Sequence, residues 1–421
     1  MSHLDGHRYD VAIVGAGPGG AATAAYAAEK GLDVLLLDRA GFPRDKTCGD
    51  GLTPRAQRVL HEMGILDEAL GAGHRLTAME IVAPTAYQAT TPMLQRDPQT
   101  DGVAVVPRLI LDELIVRRAE ARGARLETPV RVTDVVPDGA EGDGVRLTAE
   151  RQGGGREVEF RARMAVIATG AGMGLLRRIG LLEQPPRLLM LSARAYFSDI
   201  PRPLEEIGVH FAGVTLPGYG WVFPLDGDRA NIGAGVFRPG RKSNGPRNGQ
   251  QAFARFVASP HLARALSGAR QVGPVKAAPL RLDFATAPTY GPRTLLVGEA
   301  AGLVSPVTGE GIDYALESGK IAAEHLHAML TDGDCSEERL RAYDRELRRR
   351  YQRLFVLCNR LRWLFLNPWV LTKLVVAADR HPDLMDLCLR IVLENEQLAD
   401  AFRARTVLQV LLTRTRAAAL P

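Results

Sequence analysis

Residues 9–38 run Tyr9-Asp-Val-Ala-Ile-Val14, then Gly15-Ala16-Gly17-Pro18-Gly-Gly20, then an alanine-rich stretch to Lys30, then Gly31-Leu-Asp-Val-Leu-Leu-Leu-Asp38. The first segment reads as a short apolar strand, and the alanines favour a helix. Asp33–Asp38 reads as the continuous apolar strand of a buried parallel sheet. Gly31 sits where a helix C-terminus wants a left-handed residue. In the G-x-G-x-x-G spacing, Gly15 turns the chain, Gly17 lets backbone approach a pyrophosphate, and Gly20 lets helix and strand pack closely. The helix start at Pro18 offers free N–H groups and a positive dipole end to phosphates. Asp38, followed by Arg39, closes the second strand where a carboxylate accepts hydrogen bonds from a ribose. Strand, turn, helix and acidic strand end together predict a dinucleotide site in an α/β, Rossmann-type domain.

Outward from this unit, Arg108–Arg122 carries Ile110, Leu111, Leu114 and Ile115 at helical spacing. From Val130 to Gly170 the pattern becomes strands: RVTDVV, VRLTAE, EVEFRAR and AVIATG, with turn-rich breaks at Pro137–Gly144 and Gln152–Gly155. Strand-like segments follow at Ala193–Ser198, Val209–Val214, Gly220–Pro224 and Ala230–Val236, before a Gly/Pro/basic loop at Arg238–Gln250 that reads as mobile. Thr294–Val297 resumes an apolar strand, Gly311–Leu330 is a long helix, and the chain beyond Ser336 is helical in pattern. The expected organisation is a discontinuous dinucleotide-binding domain (1–80, 103–185 and 279–335). An antiparallel-sheet substrate domain (81–102 and 186–278) interleaves with it, and a helical C-terminal region (336–421) follows, α+β overall.

The 421 residues hold 53 Lys and Arg against 48 Asp and Glu, a net charge of +5, with 46% apolar residues. These values exclude a disordered, collagenous or coiled-coil chain. So small a charge on 45.6 kDa does not mark a nucleic-acid binder, despite a pI of 9.1. Cys48, Cys335, Cys358 and Cys388 form no C-x-x-C pair, which suits a reducing, cytoplasmic setting. Val11–Ala28 is charge-free but broken by glycines and a proline, and Trp363–Leu371 is cut by Asn367–Pro368, so neither is expected to span a membrane. With no H-E-x-x-H and no Cys/His cluster, no metal is expected.

Leu295-Leu-Val-Gly298-Glu299-Ala-Ala-Gly302, followed by Ser305-Pro306-Val-Thr-Gly309-Glu-Gly311-Ile312, reads as strand, loop and helix start. It resembles the second flavin motif of FAD-dependent oxidoreductases built like p-hydroxybenzoate hydroxylase. The resemblance implies bound FAD, with Gly298 and Glu299 (Asp in the family) at the ribityl chain. Pro306, Gly309, Gly311 and Ile312 then lay a helix N-terminus beneath the flavin pyrimidine, where its dipole stabilises the reduced ring. Arg108 matches an arginine that family uses near the cofactor, and Val132 is placed with it. Ala168-Thr169-Gly170 stands where the family has A-D-G, so Thr169 and Gly170 are expected at the cofactor without the Asp.

A narrower resemblance lies in Phe42-Pro-Arg44-Asp-Lys46-Thr-Cys48-Gly49-Asp-Gly51-Leu-Thr-Pro-Arg55. It resembles the F-P-R-x-K-x-C-G-x-G-L-x-P-R signature of the geranylgeranyl reductase family, which includes menaquinone side-chain reductases. Pro217-Gly-Tyr219-Gly-Trp221-Val-Phe223-Pro224 resembles that family's P-x-Y-x-W-x-F-P motif. The resemblance implies reduction of carbon–carbon double bonds in an isoprenoid or similar lipophilic substrate. Such a bond is not polarised, so hydride from reduced flavin adds only with a proton at the other carbon, away from water. Cys48 and Gly49 are expected at the flavin, where Cys48 is either a thiolate made reactive by Arg44 and Lys46 or a small buried hydrophobe. Tyr219 and Trp221 are the other catalytic candidates. Tyr219, Trp221 and Phe223 alternate, which puts them on one strand face, and with Pro224 they are expected to wall the substrate.

With no second G-x-G-x-x-G, the electrons are expected from transiently docked NAD(P)H or a reduced carrier protein. An oxygen-using monooxygenase or halogenase shares the fold, though halogenases carry W-x-W-x-I-P and Tyr219 replaces the first Trp. A flavin-binding carrier without turnover is the other alternative. Beyond Ser336 the chain has 16 Arg and Lys against 10 Asp and Glu. Arg348–Arg350, Arg353, Arg360 and Arg362 adjoin Leu354–Leu357, Trp363–Leu366 and Trp369. Two readings stay open there: an interfacial helix on anionic lipid at the inner membrane surface, or a helical cap packed on the core.

Overall fold

The computed structural model describes residues 7–93, 100, 102–138, 143–151, 157–182, 186, 188–202, 204–237, 245–361 and 367–390. The glycine turn sits on an eight-stranded sheet. Its centre is Arg8–Val14, parallel to Val34–Leu37 on one side and to Glu157–Ile167 on the other. Ile13 lies between Leu36 and Val166, all fully buried, as a sheet covered on both faces requires. Thr294–Leu296 extends the parallel set, so the second glycine segment leaves the same edge of the sheet as the first. The helix Pro18–Glu29 packs against the helix Ile312–Asp332, bringing both N-termini to one place.

EVEFRAR and AVIATG are one continuous strand, Glu157–Ile167, rather than two. No breaker separates them. Its first half alternates exposed and buried residues and pairs antiparallel with Val145–Arg151, while its second half is buried throughout between parallel neighbours.

A second, seven-stranded sheet is antiparallel apart from one parallel pair, Ile207–His210 with Ala78–Val82. Gly218–Asp226 lies inside it, between Arg229–Phe237 and Ile207–His210. Its edge strand Arg270–Arg281 carries Gly273, Pro274 and Pro279, residues that hide a strand in sequence but are tolerated at an edge. The loop expected at Arg238–Gln250 falls largely on 238–244, outside the described residues, and its end is the start of the helix Gly249–Val257.

The helix Glu337–Leu361 buries Leu340, Tyr343, Leu347, Tyr351 and Phe355 against the first core. Arg348 donates to the carbonyls of Phe284 and Ala287, so this basic helix is pinned to the body. Val375, Leu384, Met385 and Leu389 of the next two helices join Met79, Val103 and Ile207 in a second core over the seven-stranded sheet. Both segments pack as a helical cap. Trp363–Leu366 lies outside the described residues; Trp369 is 60% exposed, with the Lys373 ammonium 4.9 Å from its ring centroid.

Candidate active site

One cavity of about 1260 Å³ lies between the two sheets and takes in both glycine turns, Cys48 and the aromatic strand. At its first end, Gly15 adopts φ +103°, and a Cβ on Gly20 would come 1.8 Å from the Gly15 carbonyl oxygen. Only glycines let strand and helix close this far. The helix Pro18–Glu29 has Gly17 as its N-cap, with no side-chain cap and no acid in its first turn, so its N–H groups and dipole face the cavity uncontested. Asp38 Oδ2 accepts from the Ala16 N–H at 2.7 Å, and Oδ1 accepts from Ala40 N–H at 2.9 Å. The carboxylate therefore braces the glycine turn as well as bordering the cavity beside Arg39 and Val132. Ala16 and Gly20 lie behind the cavity surface and act through backbone packing.

The second turn mirrors the first. Gly298 (φ +57°) and Gly309 (φ +68°) are left-handed, and Gly311 caps Ile312–Asp332 without a side-chain bond. Pro306 is buried behind this turn. Glu299, the departure from Asp, reaches the cavity wall, where Oε1 accepts from Arg281 N–H at 3.1 Å and Lys46 lies 3.8 Å from Oε2. Burial pushes this carboxyl above its ordinary range, and Lys46 opposes the push. Gly170 (φ +58°) borders Lys46 and Glu299, and Thr169 Oγ donates to the Gly172 carbonyl at 3.0 Å.

Cys48 is half-buried on the cavity. The expectation that Arg44 and Lys46 activate it is corrected by their geometry. Arg44 pairs with Asp112 at 3.1 Å and Lys46 turns to Glu299, because nearby carboxylates hold both. The cation against the thiol is Arg108, which donates to Asp112 at 2.6 and 2.8 Å.

Tyr219, Trp221 and Phe223 do share one face and all line the cavity, with ring centroids 6.0 and 6.4 Å apart. Pro224 takes the other side of the strand, off the cavity. The Tyr219 hydroxyl donates to the Thr308 carbonyl, tying the aromatic strand to the second glycine turn. Phe223 lies over Gly49 and Gly51, where an added Cβ would meet its ring at 3.0 and 3.3 Å.

Sequence reasoning missed the polar chain behind this wall. Trp221 Nε1 donates to Asn231 Oδ1 at 3.0 Å. Asn231 Nδ2 is shared between the Cys48 carbonyl at 2.8 Å and Asp50 Oδ2 at 2.7 Å. Tyr196 also donates to Asp50 Oδ2, at 2.7 Å. Asp50 is fully buried in a left-handed conformation (φ +66°), and burial pushes its carboxyl up to about 6. Its signal was a lone carboxylate between two glycines in the Cys48 segment, and Asn231 was the one polar side chain inside an apolar strand.

The uncapped helix N-termini and the space that only glycine leaves between strand and helix fit FAD: Gly15, Gly17 and Pro18 would hold its phosphates, and Gly309–Ile312 its ring. Comparison with known proteins agrees. A family model described as an FAD binding domain matches residues 8–356. The chain is 33% identical over 394 residues to a menaquinone reductase of Mycobacterium tuberculosis, covering 91% of this chain and 90% of that one. It is 31% identical to digeranylgeranylglycerophospholipid reductase 1 of Methanopyrus kandleri, covering 80% and 84%. Among solved structures, a geranylgeranyl bacteriochlorophyll reductase-like protein from Thermoplasma acidophilum superposes with a TM-score of 0.80 at 21% identity, over 94% and 98% of the two chains, and shows the same fold.

Proposed function

This chain belongs to the FAD-binding oxidoreductases, and from that premise we propose that it reduces carbon–carbon double bonds in an isoprenoid chain carried by a lipophilic molecule. The observation that carries the reading is the cavity's two ends. One presents two helix N-termini to a dinucleotide, and the other is walled by Tyr219, Trp221 and Phe223 with Met79, Ile207 and Met385. An apolar polyprenyl chain suits the second end, and burying it excludes water from the reacting carbons. FAD, when bound, supplies the hydride. The residues of the chain bind the two molecules in register, keep the site dry and supply the proton. Trp221 is held by Asn231, so the wall beside the reacting carbons is fixed in orientation.

The electrons come from NAD(P)H or a reduced carrier protein that docks transiently. The basic C-terminal helices, with exposed Trp369 beside Lys373, support peripheral contact with an anionic membrane from which such a substrate would be drawn. Among the described residues no helix is long and apolar enough to cross a membrane.

The test is incubation with dithionite-reduced FAD and menaquinone or a prenylated phospholipid under argon, followed by mass spectrometry. Prenyl chains that gain pairs of hydrogens, beyond the pair a quinone headgroup takes, are expected. Product formed only in air, with an added oxygen, would replace the reductase by a monooxygenase.

A further inference from the structure

Glu310 stands in the second glycine turn, between left-handed Gly309 and the helix cap Gly311. It lines the cavity with Tyr219, Thr308 and Asp313. Asp313 and Glu317 pair with a single guanidinium, Arg55, whose charge also acts on the Glu310 carboxyl. Arg55 donates to Asp313 at 3.2 Å and to Glu317, and Tyr351 also donates to Glu317 at 2.8 Å. The Tyr314 and Tyr351 rings cover Arg55 at 4.6 and 5.9 Å. Among the described residues, no Lys, Arg or His forms an ion pair with Glu310. Neighbouring carboxyls that share one cation do not all ionise, and the proton goes to the member without its own cation.

We propose that Glu310 is the proton donor of the reductase reaction described above, a role that rests on that reading. Hydride from two-electron-reduced flavin adds its electron pair to one alkene carbon. The alkene π pair takes the proton from the Glu310 O–H bond at the other carbon, leaving a carboxylate. Arg55 stabilises that carboxylate until solvent returns the proton.

Burial, and then the Asp313 charge, hold the Glu310 carboxyl well above the ordinary range, against the pull of Arg55. It therefore keeps its proton to a higher pH than an ordinary glutamate. Tyr219 and Asp313 on the cavity, and Asp50 near it, are committed to other partners or lie off its surface. Tyr219 donates its hydroxyl hydrogen bond to the Thr308 carbonyl, and burial pushes its phenol up. Asp313 is ion-paired, and Asp50 lies behind the cavity surface.

The tests use the full chain. Glu310→Gln keeps the shape but has no acidic proton. Its kcat is expected to fall about 10²–10⁴-fold with flavin content unchanged. Wild-type turnover is expected to be flat at low pH and to fall as pH rises through the raised pKa, and Glu310→Gln should lose that basic limb. Glu310→Asp should restore part of the rate, and acetate should do the same for Glu310→Ala. Infrared spectra of substrate-free wild type should keep a carboxylic C=O band at neutral pH that Glu310→Gln lacks. The assignment is overturned if that band is absent from wild type or unchanged in the variant, or if Glu310→Gln turns over within a few-fold of wild type with its basic limb intact. A wild type that reduces no prenyl substrate sinks the reductase reading instead, while the infrared band still decides where the proton resides.

Discussion

Two glycine turns in this molecule aim a helix N-terminus at one cavity, and they differ in charge. The turn at Gly15–Gly20 opens Pro18–Glu29 with no acid in the first turn, and the nearest carboxylate, Asp38, accepts from backbone N–H groups. The turn at Gly309–Gly311 carries Glu310, starts its helix with Asp313 and needs Arg55 to hold the negative charge in place. The same backbone device serves two purposes. Where the dipole is left bare it suits phosphate; where carboxyls crowd it, one of them keeps a proton. A helix N-terminus identifies an electropositive spot, and the side chains around it decide what that spot does.

The comparison breaks most readily at Arg55. Arg55→Met leaves buried Asp313 and half-buried Glu317 without their cation and is expected to cost ~3 kcal/mol of stability, read by urea unfolding. A loss below about 1 kcal/mol would mean that the second turn does not depend on this guanidinium.

A second buried acid sharpens the contrast. Asp50 rises from an ordinary 3.8 to about 6 in the folded protein, so the native state binds its proton more tightly than the unfolded chain. Its stabilising contribution is full below the ordinary value and is lost as pH climbs from about 4 to 6, worth up to ~3 kcal/mol. Asp50→Asn does not titrate, so the Tm of wild type relative to this variant should fall across that window. A difference independent of pH would show that Asp50 is not the group being protonated.

At the first turn, Gly20→Ala forces a Cβ onto the Gly15 carbonyl. We expect it to lose ~1–3 kcal/mol of stability and to purify without yellow flavin; a stable, yellow variant would contradict the close packing.

The smallest effect belongs to Tyr219→Phe. It removes one hydrogen bond to Thr308, worth ~1 kcal/mol, and should slow turnover by less than about tenfold because that hydroxyl is not the acid. A loss as large as that of Glu310→Gln would move the proton to Tyr219.

What was legible in sequence follows from how local each constraint is. Gly15, Gly17 and Gly20 act within one strand–helix junction, so their spacing alone predicted the parallel sheet and the cofactor end. Tyr219, Trp221 and Phe223 share a face because a strand alternates, and that too is local. The Asp50–Asn231–Trp221 chain joins residues about 180 positions apart through side-chain bonds made only in the folded chain, which no spacing reveals. Arg44 and Lys46 flank Cys48 in sequence yet face carboxylates from distant elements, so chain proximity misled there. Glu310 was visible only as the unassigned letter of a glycine motif. Its meaning came from Arg55, which folding brings from the other end of the chain.

The central claim is that this cavity passes a hydride from FAD to an apolar carbon–carbon double bond. The most direct measurement is the absorbance of protein-bound FAD, reduced by one equivalent of dithionite under argon and then mixed with menaquinone vesicles. The quinone is reduced to its quinol beforehand, so that only the side chain can accept hydride. The account predicts that oxidised-flavin absorbance returns without oxygen as the side chain gains hydrogen. Flavin that stays reduced until air is admitted would contradict it.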